Sequence, residues 1–244
     1  MPTSRINPRG DSIDKLATRD ISSSKASQGP AMNTQAWLLL LEGAWTTLWL
    51  CGIAISIGVA LGLGIALLRM AKIPFVEQLL VLYISLARAT PLVTLVLFLF
   101  LSAPTFGINM NRNTAAIVAM TLNTAAFNAE IWRAAFLSFS RDQREAALAC
   151  GMTSGVFFRR IMLPQMITTS LPGLVNEMSF LIKGSPAVAV IGIVELTRVT
   201  NRISAVTYDP LPPILAAAVL YMLIISVLLK LQGLAERKAN RLAM

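Results

Sequence analysis

Arg144-Glu145-Ala146-Ala147-Leu148-Ala149-Cys150-Gly151-Met152-Thr153-Ser154-Gly155-Val156-Phe157-Phe158-Arg159-Arg160-Ile161-Met162-Leu163-Pro164-Gln165 is the one long charged interruption in the apolar two-thirds of this chain. Glu145 through Cys150 are good helix formers, and Gly151 can take the left-handed backbone conformation that ends a helix and turns the chain. The stretch is therefore expected to run helix, turn, helix. After the turn, Phe157 and Phe158 offer apolar anchors beside Arg159 and Arg160, a mixture expected where a short helix plugs into a groove on a partner. Pro164 suits the first turn of the next helix, where its missing N–H is not needed.

The surroundings of this stretch are those of a membrane domain. With 244 residues, 55% hydrophobic and 14% charged, the chain is too apolar for a soluble domain and too short for two. It has no histidine, and its two cysteines, Cys51 and Cys150, lie far from any metal-ligand or disulfide spacing. Neither metal chemistry nor a structural disulfide is expected. A net charge of +9 raises nucleic acid as a partner, but no basic stripe with interleaved aromatics is present to read one. Membrane topology accounts for the charge better.

The expected fold class is all-α, a polytopic membrane protein of about five transmembrane helices with the charged loop between the third and fourth. Five apolar segments are long enough to cross a bilayer, near Ala44–Leu68, Leu79–Leu101, Thr114–Leu137, Ile167–Ile193 and Leu211–Leu231. Trp37 to Glu42 reads as a short interfacial helix leading into the first span. Gly58 and Gly62 form a small-xxx-small pair, with Gly64 close by, and simple helix packing is the favoured reading. Residues 1–33 are polar and expected to be a disordered tail, 34–235 the transmembrane domain, and 236–244 a basic tail. No apolar h-region precedes Trp37, so the tail is not a signal peptide. Met32 is a candidate for the true start.

Orientation follows from lysine and arginine. With the charged loop cytoplasmic, the inside carries Arg69, Lys72, Arg141, Arg144, Arg159, Arg160, Lys230, Arg237, Lys238 and Arg241, and the outside loops only Arg112, Arg198 and Arg202. The positive-inside rule then puts the C-terminus inside and the N-terminus outside. Arg5, Arg9, Lys15, Arg19 and Lys25 conflict with that placement, and a start at Met32 removes the conflict.

Charges within membrane spans are costly and usually face a cavity or a partner. There are five: Arg88, Glu130, Arg133, Glu177 and Lys183. Arg88 and Glu177 fall near the middle of their spans, and Pro91 must break helical hydrogen bonding close to Arg88. Thr90 and Asn176 add neutral hydrogen-bonding groups at similar depth. Two readings stay open: Arg88 faces the carboxylate of a zwitterion while Glu177 faces its ammonium or a cationic side chain, or the two pair with each other or with a partner subunit as structural glue. Glu130 and Arg133, three apart, read as a local ion pair. Lys183 reaches Glu177 only if the helix breaks between them, and Gly184 and Pro186 place a break a little further on.

Within the charged loop, Glu145-Ala146-Ala147, Gly151, Ile161, Leu163 and Pro164 match position by position the docking loop, or coupling helix with its Glu-Ala-Ala motif, of permease subunits of ATP-binding-cassette importers. The chain resembles that family. Arg88-Ala89-Thr90-Pro91-Leu92 resembles the Arg-Gly-Thr-Pro-Leu segment of polar amino acid importers, and Asn123 to Arg133 looks like their third span. Leu171-Pro172, Asn176-Glu177, Leu181-Ile182-Lys183 and Val190 to Thr197 also fit, so the resemblance covers roughly residues 38 to 235. Two departures stand out. Lys183-Gly184-Ser185-Pro186-Ala187 replaces the usual Lys-Asp-Thr-Ser-Leu, and a Gln near the position of Thr94 is absent.

The resemblance implies a multi-pass protein of the bacterial cytoplasmic (inner) membrane. It further implies pairing with a second permease chain, a pair of cytoplasmic ATP-binding subunits, and an extracytoplasmic solute-binding protein that delivers an amino acid. Docking would run through Glu145, Ala146, Ala147, Gly151, Phe157, Phe158, Arg159 and Arg160, and the substrate path through Arg88, Thr90, Asn176 and Glu177. No phosphate-binding loop of the Gly-x-x-x-x-Gly-Lys-Ser/Thr form appears, so no cofactor is expected on this chain and ATP belongs to the partner. The rival reading is a secondary transporter of a small zwitterion coupled to protons through Glu177 and Glu130. The small number of spans and the lack of a detectable inverted repeat stand against it.

Overall fold

The computed structural model describes residues 32–242, all of whose regular elements are helical. The expectation of disorder before residue 32 lies outside the described residues. Helix α1 runs from Thr34 to Met70, 37 residues, with Asn33 Oδ1 accepting from the Ala36 N–H at 2.8 Å as its N-cap. At about 1.5 Å per residue it is about 55 Å long, well beyond a roughly 30 Å hydrocarbon core. It therefore absorbs Trp37–Glu42, expected as a separate helix; nothing between Glu42 and Ala44 breaks the hydrogen-bond ladder.

The expected second span is two helices. Pro74–Ala89 (α2) stops at Thr90, which is extended at φ −86°, ψ 126°, as a residue before proline tends to be. Leu92–Ser102 (α3) and the 3-10 turn Ala103–Phe106 then leave at 111° to α2. The break at Pro91 was legible; the size of the turn was not.

Helix α4, Arg112–Leu137, is the axis on which the others pack. Its buried side is built from Ala115, Ala116, Ala119, Ala125, Ala126 and Ala129 with Thr124 and Asn128 among them. Helix α1 crosses it where Gly58 faces Thr124 and Gly62 faces Asn128, which bears out the packing reading of the two glycines; Gly64 faces open space. Three helical stretches are long and apolar enough to cross a membrane on their own, Thr34–Met70, Ser154–Ile191 and Leu211–Arg237, or four if the bent α2–α3 pair counts as one. The polar character of α4 has a physical source: its neighbours are protein rather than lipid, and close helix packing favours small and hydroxylated residues over large apolar ones.

After α4 come α5 (Arg141–Ala149) and the single turn α6 (Ser154–Phe157), then a π-helical turn (Phe158–Met162) leading into α7 (Leu163–Gly184). Pro164 falls in the first turn of α7, as its sequence position suggests, although a π turn joins α6 to α7 without a gap. The π turn, with the Leu163 N–H bonded to the Phe158 carbonyl, carries the helix through a site where the proline ring has no N–H to give and crowds the preceding turn. Helix α7 gives way at Ser185 to a 3-10 segment reaching Ile191, where Gly184 and Pro186 predicted a break. Helices α8 (Leu196–Thr207) and α9 (Leu211–Leu242) complete the chain. The expected basic tail from 236 is helical as far as Leu242, because Ala235, Glu236, Arg237 and Lys238 all favour continuing the helix.

Candidate functional site

Two places carry chemistry: the charged loop after α4, and a cleft between α1, α2 and α4.

In the loop, Ser140 caps α5 by accepting from the Gln143 N–H at 3.3 Å. The other end closes as a Schellman motif: the Met152 N–H bonds the Ala147 carbonyl at 3.0 Å and the Gly151 N–H bonds the Leu148 carbonyl at 2.9 Å. Gly151 sits at φ +78°, the left-handed conformation its sequence position called for. Glu145 and Ala146 are exposed on α5, as are Arg159 and Arg160 beyond the turn, while Ala147 is buried.

Phe157 and Phe158 require a correction, since neither projects outward as a groove anchor. Phe157 is 4% exposed and meets Phe139 edge-on at 5.5 Å, and Phe158 stacks on Phe136 at 6.3 Å. The two rings clamp the loop onto the end of α4, because the turn at Gly151 folds α6 back against it. The large apolar side chains exposed on the loop are Leu148 and Val156.

The cleft holds about 420 Å³ and is lined by Arg69, Arg88, Glu130, Phe127 and Ser85 among others. Glu130 makes the expected pair with Arg133, at 2.8 Å to Nη2 and 3.0 Å to Nε. It also accepts from Arg69 at the end of α1, a residue the sequence offered only as a topology marker. The Nε of Arg69 is buried without a partner. Arg88 lies over the Phe127 ring, 5.2 Å from its centroid. Two arginines, Arg69 and Arg88, thus border the cleft with one carboxylate, and a third, Arg133, also holds that carboxylate.

The four expected path residues do not form one cluster. Glu177 is buried and turned toward Thr124 of α4, whereas Asn176, its neighbour in sequence, is exposed on another face of α7. No close ion pair among the described residues joins Arg88 to Glu177, although the Arg88 charge acts on the Glu177 carboxyl across the space between them. The Thr90 hydroxyl donates back to the Leu86 carbonyl at 2.8 Å. Lys183 lies over the Phe180 ring at 5.5 Å, and α7 is unbroken between residues 177 and 183, so Lys183 does not partner Glu177.

One buried polar centre was missed. Glu195, fully buried, caps α8 by accepting from the Thr197 and Arg198 N–H groups at 2.8 and 2.6 Å, and accepts from the Tyr221 hydroxyl at 3.2 Å. A capping carboxylate three residues before Arg198 was the available signal.

The chain matches, over residues 54–241, the family described as binding-protein-dependent transport system inner membrane component. It belongs to that family. The permease is 33% identical over 201 residues to the arginine transport system permease protein ArtQ of Bacillus subtilis, covering 82% of this chain and 91% of that one. It is also 33% identical over 202 residues to the glutamine transport system permease protein GlnP of Escherichia coli, covering 82% and 92%. A solved amino acid ABC transporter superposes with a TM-score of 0.77 at 36% identity, covering 84% of the permease and 95% of that chain. The permease is thus a membrane-spanning subunit of the transporter type to which these relatives belong.

Proposed function

We propose that the permease forms the translocation path for a polar amino acid in an ATP-driven importer, and that its 144–165 loop seats in a cytoplasmic ATP-binding subunit. The loop carries the reading. Its two helical pieces are fixed by the Gly151 cap and held to α4 through Phe139–Phe157 and Phe136–Phe158, while Glu145, Ala146, Leu148 and Val156 stay exposed. A surface so braced transmits a displacement of the ATPase to α4 and α7. The ATP-bound and free partner then have to hold the loop with different affinity in its two positions.

The lysine and arginine distribution puts the loop and the C-terminus inside and the N-terminus outside. Along α7, Gln165, Thr169, Asn176 and Lys183 are exposed on one face, which Pro172 and Phe180 share. A stripe of that polarity is costly against lipid and fits an aqueous path shared with a second permease chain, identical or homologous. Arg88, Arg69 and Glu130 border a cleft of a size usual for small-ligand sites; Glu130 is held by Arg69 and Arg133, which leaves Arg88 as the charge open to a substrate carboxylate. A solute-binding protein on the outer side delivers the substrate.

The test is retention of the ATPase subunits on the permease purified from its native membrane. Glu145→Lys and Gly151→Asp are expected to lose the ATPase while the permease stays in the membrane. An ATPase that co-purifies equally with both variants refutes docking through this loop.

A further inference from the structure

Pro91 ends α2 by withholding an N–H, and the carbonyl left without that donor is the one four residues back, on Ala87. The last bond of the helix runs from the Thr90 N–H to the Leu86 carbonyl at 3.0 Å, and the next donor along the ladder does not exist. Ala87 is itself buried, in one cluster with Ala126 and Ala129 of α4, which leaves its carbonyl little access to water. Within a membrane such an orphan is costly unless protein supplies the donor. Asn123 of α4 supplies it: the buried side-chain amide donates from Nδ2 to the Ala87 oxygen at 3.3 Å.

One turn along α4, on the same face, Phe127 meets the next residue of α2 by its side chain, with the Arg88 guanidinium 5.2 Å from the ring centroid. Tyr83, about a turn back on α2, donates its hydroxyl to the Leu122 carbonyl at 2.6 Å. The last turns of α2 are thus tied to α4 by a phenol at Tyr83, by backbone at Ala87 and by a cation–π contact at Arg88. Arg88 is exposed and makes no ion pair among the described residues, so the support under it leaves its charge free toward the cleft that it lines. Without those ties, a long side chain at a broken helix end would sample many rotamers.

We propose that Asn123 and Phe127 are positioning residues for substrate recognition: Asn123 replaces the backbone donor that Pro91 lacks, Phe127 seats the guanidinium, and together they set Arg88 for the carboxylate of the amino acid. The proposal rests on the importer reading and deepens it, since it needs the cleft between α1, α2 and α4 to receive substrate. A guanidinium held in place loses less side-chain freedom on binding than a mobile one. Loosening either support therefore weakens recognition of the carboxylate and leaves contacts to the rest of the substrate as they were.

The experiment reads equilibrium binding of radiolabelled ligand to the purified permease–ATPase complex, with the solute-binding protein left out. Each standard L-amino acid is offered to wild type, and the one bound, together with its carboxamide, becomes the probe pair. Asn123→Leu, which keeps the bulk and removes the donor, and Phe127→Leu, which removes the ring, should each raise the Kd of the amino acid about three- to ten-fold and that of the carboxamide less than about two-fold. Phe127→Tyr, which keeps the ring, should stay within about two-fold of wild type for both. In an Arg88→Gln background, with no guanidinium to seat, Phe127→Leu should add nothing. Pro91→Ala returns the N–H, so in that background Asn123→Leu should lose most of its effect, and a single Asn123→Leu permease too unstable to purify should be recovered. Unchanged discrimination between the two probes in both leucine variants overturns the proposal, and so does equal weakening of both probes, which would leave the two residues as packing alone. Failure of Pro91→Ala to relieve Asn123→Leu overturns the surrogate-donor role. Wild type that binds no amino acid, or Arg88→Gln that discriminates as wild type does, overturns the reading of the cleft as substrate path, an outcome distinct from Arg88→Gln losing a discrimination that the Asn123 and Phe127 variants keep.

Discussion

Gly62 of α1 lies so close to Asn128 of α4 that a Cβ in its place would stand 2.7 Å from the asparagine Cβ and 3.0 Å from the Ala129 backbone nitrogen. One turn earlier, Gly58 meets the Thr124 methyl in the same way. Helix α4 is held by α1 at backbone distance, and the loop that follows α4 inherits that rigidity. Gly62→Ala should destabilise the permease by about 1–3 kcal/mol, as overpacking of a close contact does. Gly64→Ala, which faces open space, should be neutral or stabilise by up to about 1 kcal/mol through helix propensity. Thermal unfolding in detergent compares the two; equal melting points contradict the close crossing.

Gly151 tests the loop's geometry apart from its chemistry. At φ +78°, Gly151→Ala forces a Cβ into the left-handed region at a cost of about 1–2 kcal/mol, and Gly151→Asn should be tolerated better. ATPase co-purification is expected to fall in the order glycine, asparagine, alanine. Alanine retaining as much ATPase as glycine would show that the cap is dispensable.

The inward turn of Phe157 separates bracing from docking. Phe157→Ala removes the edge-on contact with Phe139, worth about 0.5–1.5 kcal/mol beyond the lost burial. Transport per ATP hydrolysed should fall more than ATPase retention. Val156→Asp, on the exposed side of the same turn, should do the reverse. A Phe157→Ala permease that loses its ATPase and a Val156→Asp permease that keeps it would return the anchor role to Phe157.

Glu130 holds two cations, so its removal exposes both. Glu130→Gln should be more damaging than Arg133→Ala, whose side chain is a third exposed and whose pair is worth about 1 kcal/mol or less. Arg69→Gln added to Glu130→Gln should recover part of the loss, since an unpaired, largely buried guanidinium is what the single change leaves behind. Expression and melting of the three variants read this; a double variant worse than Glu130→Gln refutes the coupling.

Much of this architecture was legible because local chemistry sets it. Gly151 ends a helix wherever it stands after a run like Glu145–Cys150, Pro91 stops α2 for want of an N–H, and the spacing of Glu130 and Arg133 makes a one-turn ion pair. The apolar runs were long enough to be read as spans by composition alone, and the docking motif carried the family. Tertiary structure decided the rest. Whether Phe157 faced a partner or α4 depended on how far the chain turned back at Gly151, and an exposed ring and a buried ring have the same sequence. The 111° between α2 and α3 came from packing on either side of Pro91, which permits a bend and does not set its size. Arg69 met Glu130, 61 residues away, only because two glycines let α1 and α4 cross in contact. Sequence determines what each segment is able to do locally; which charges share a cleft is settled by the crossing of helices, a long-range arrangement whose free energy is spread over many small contacts.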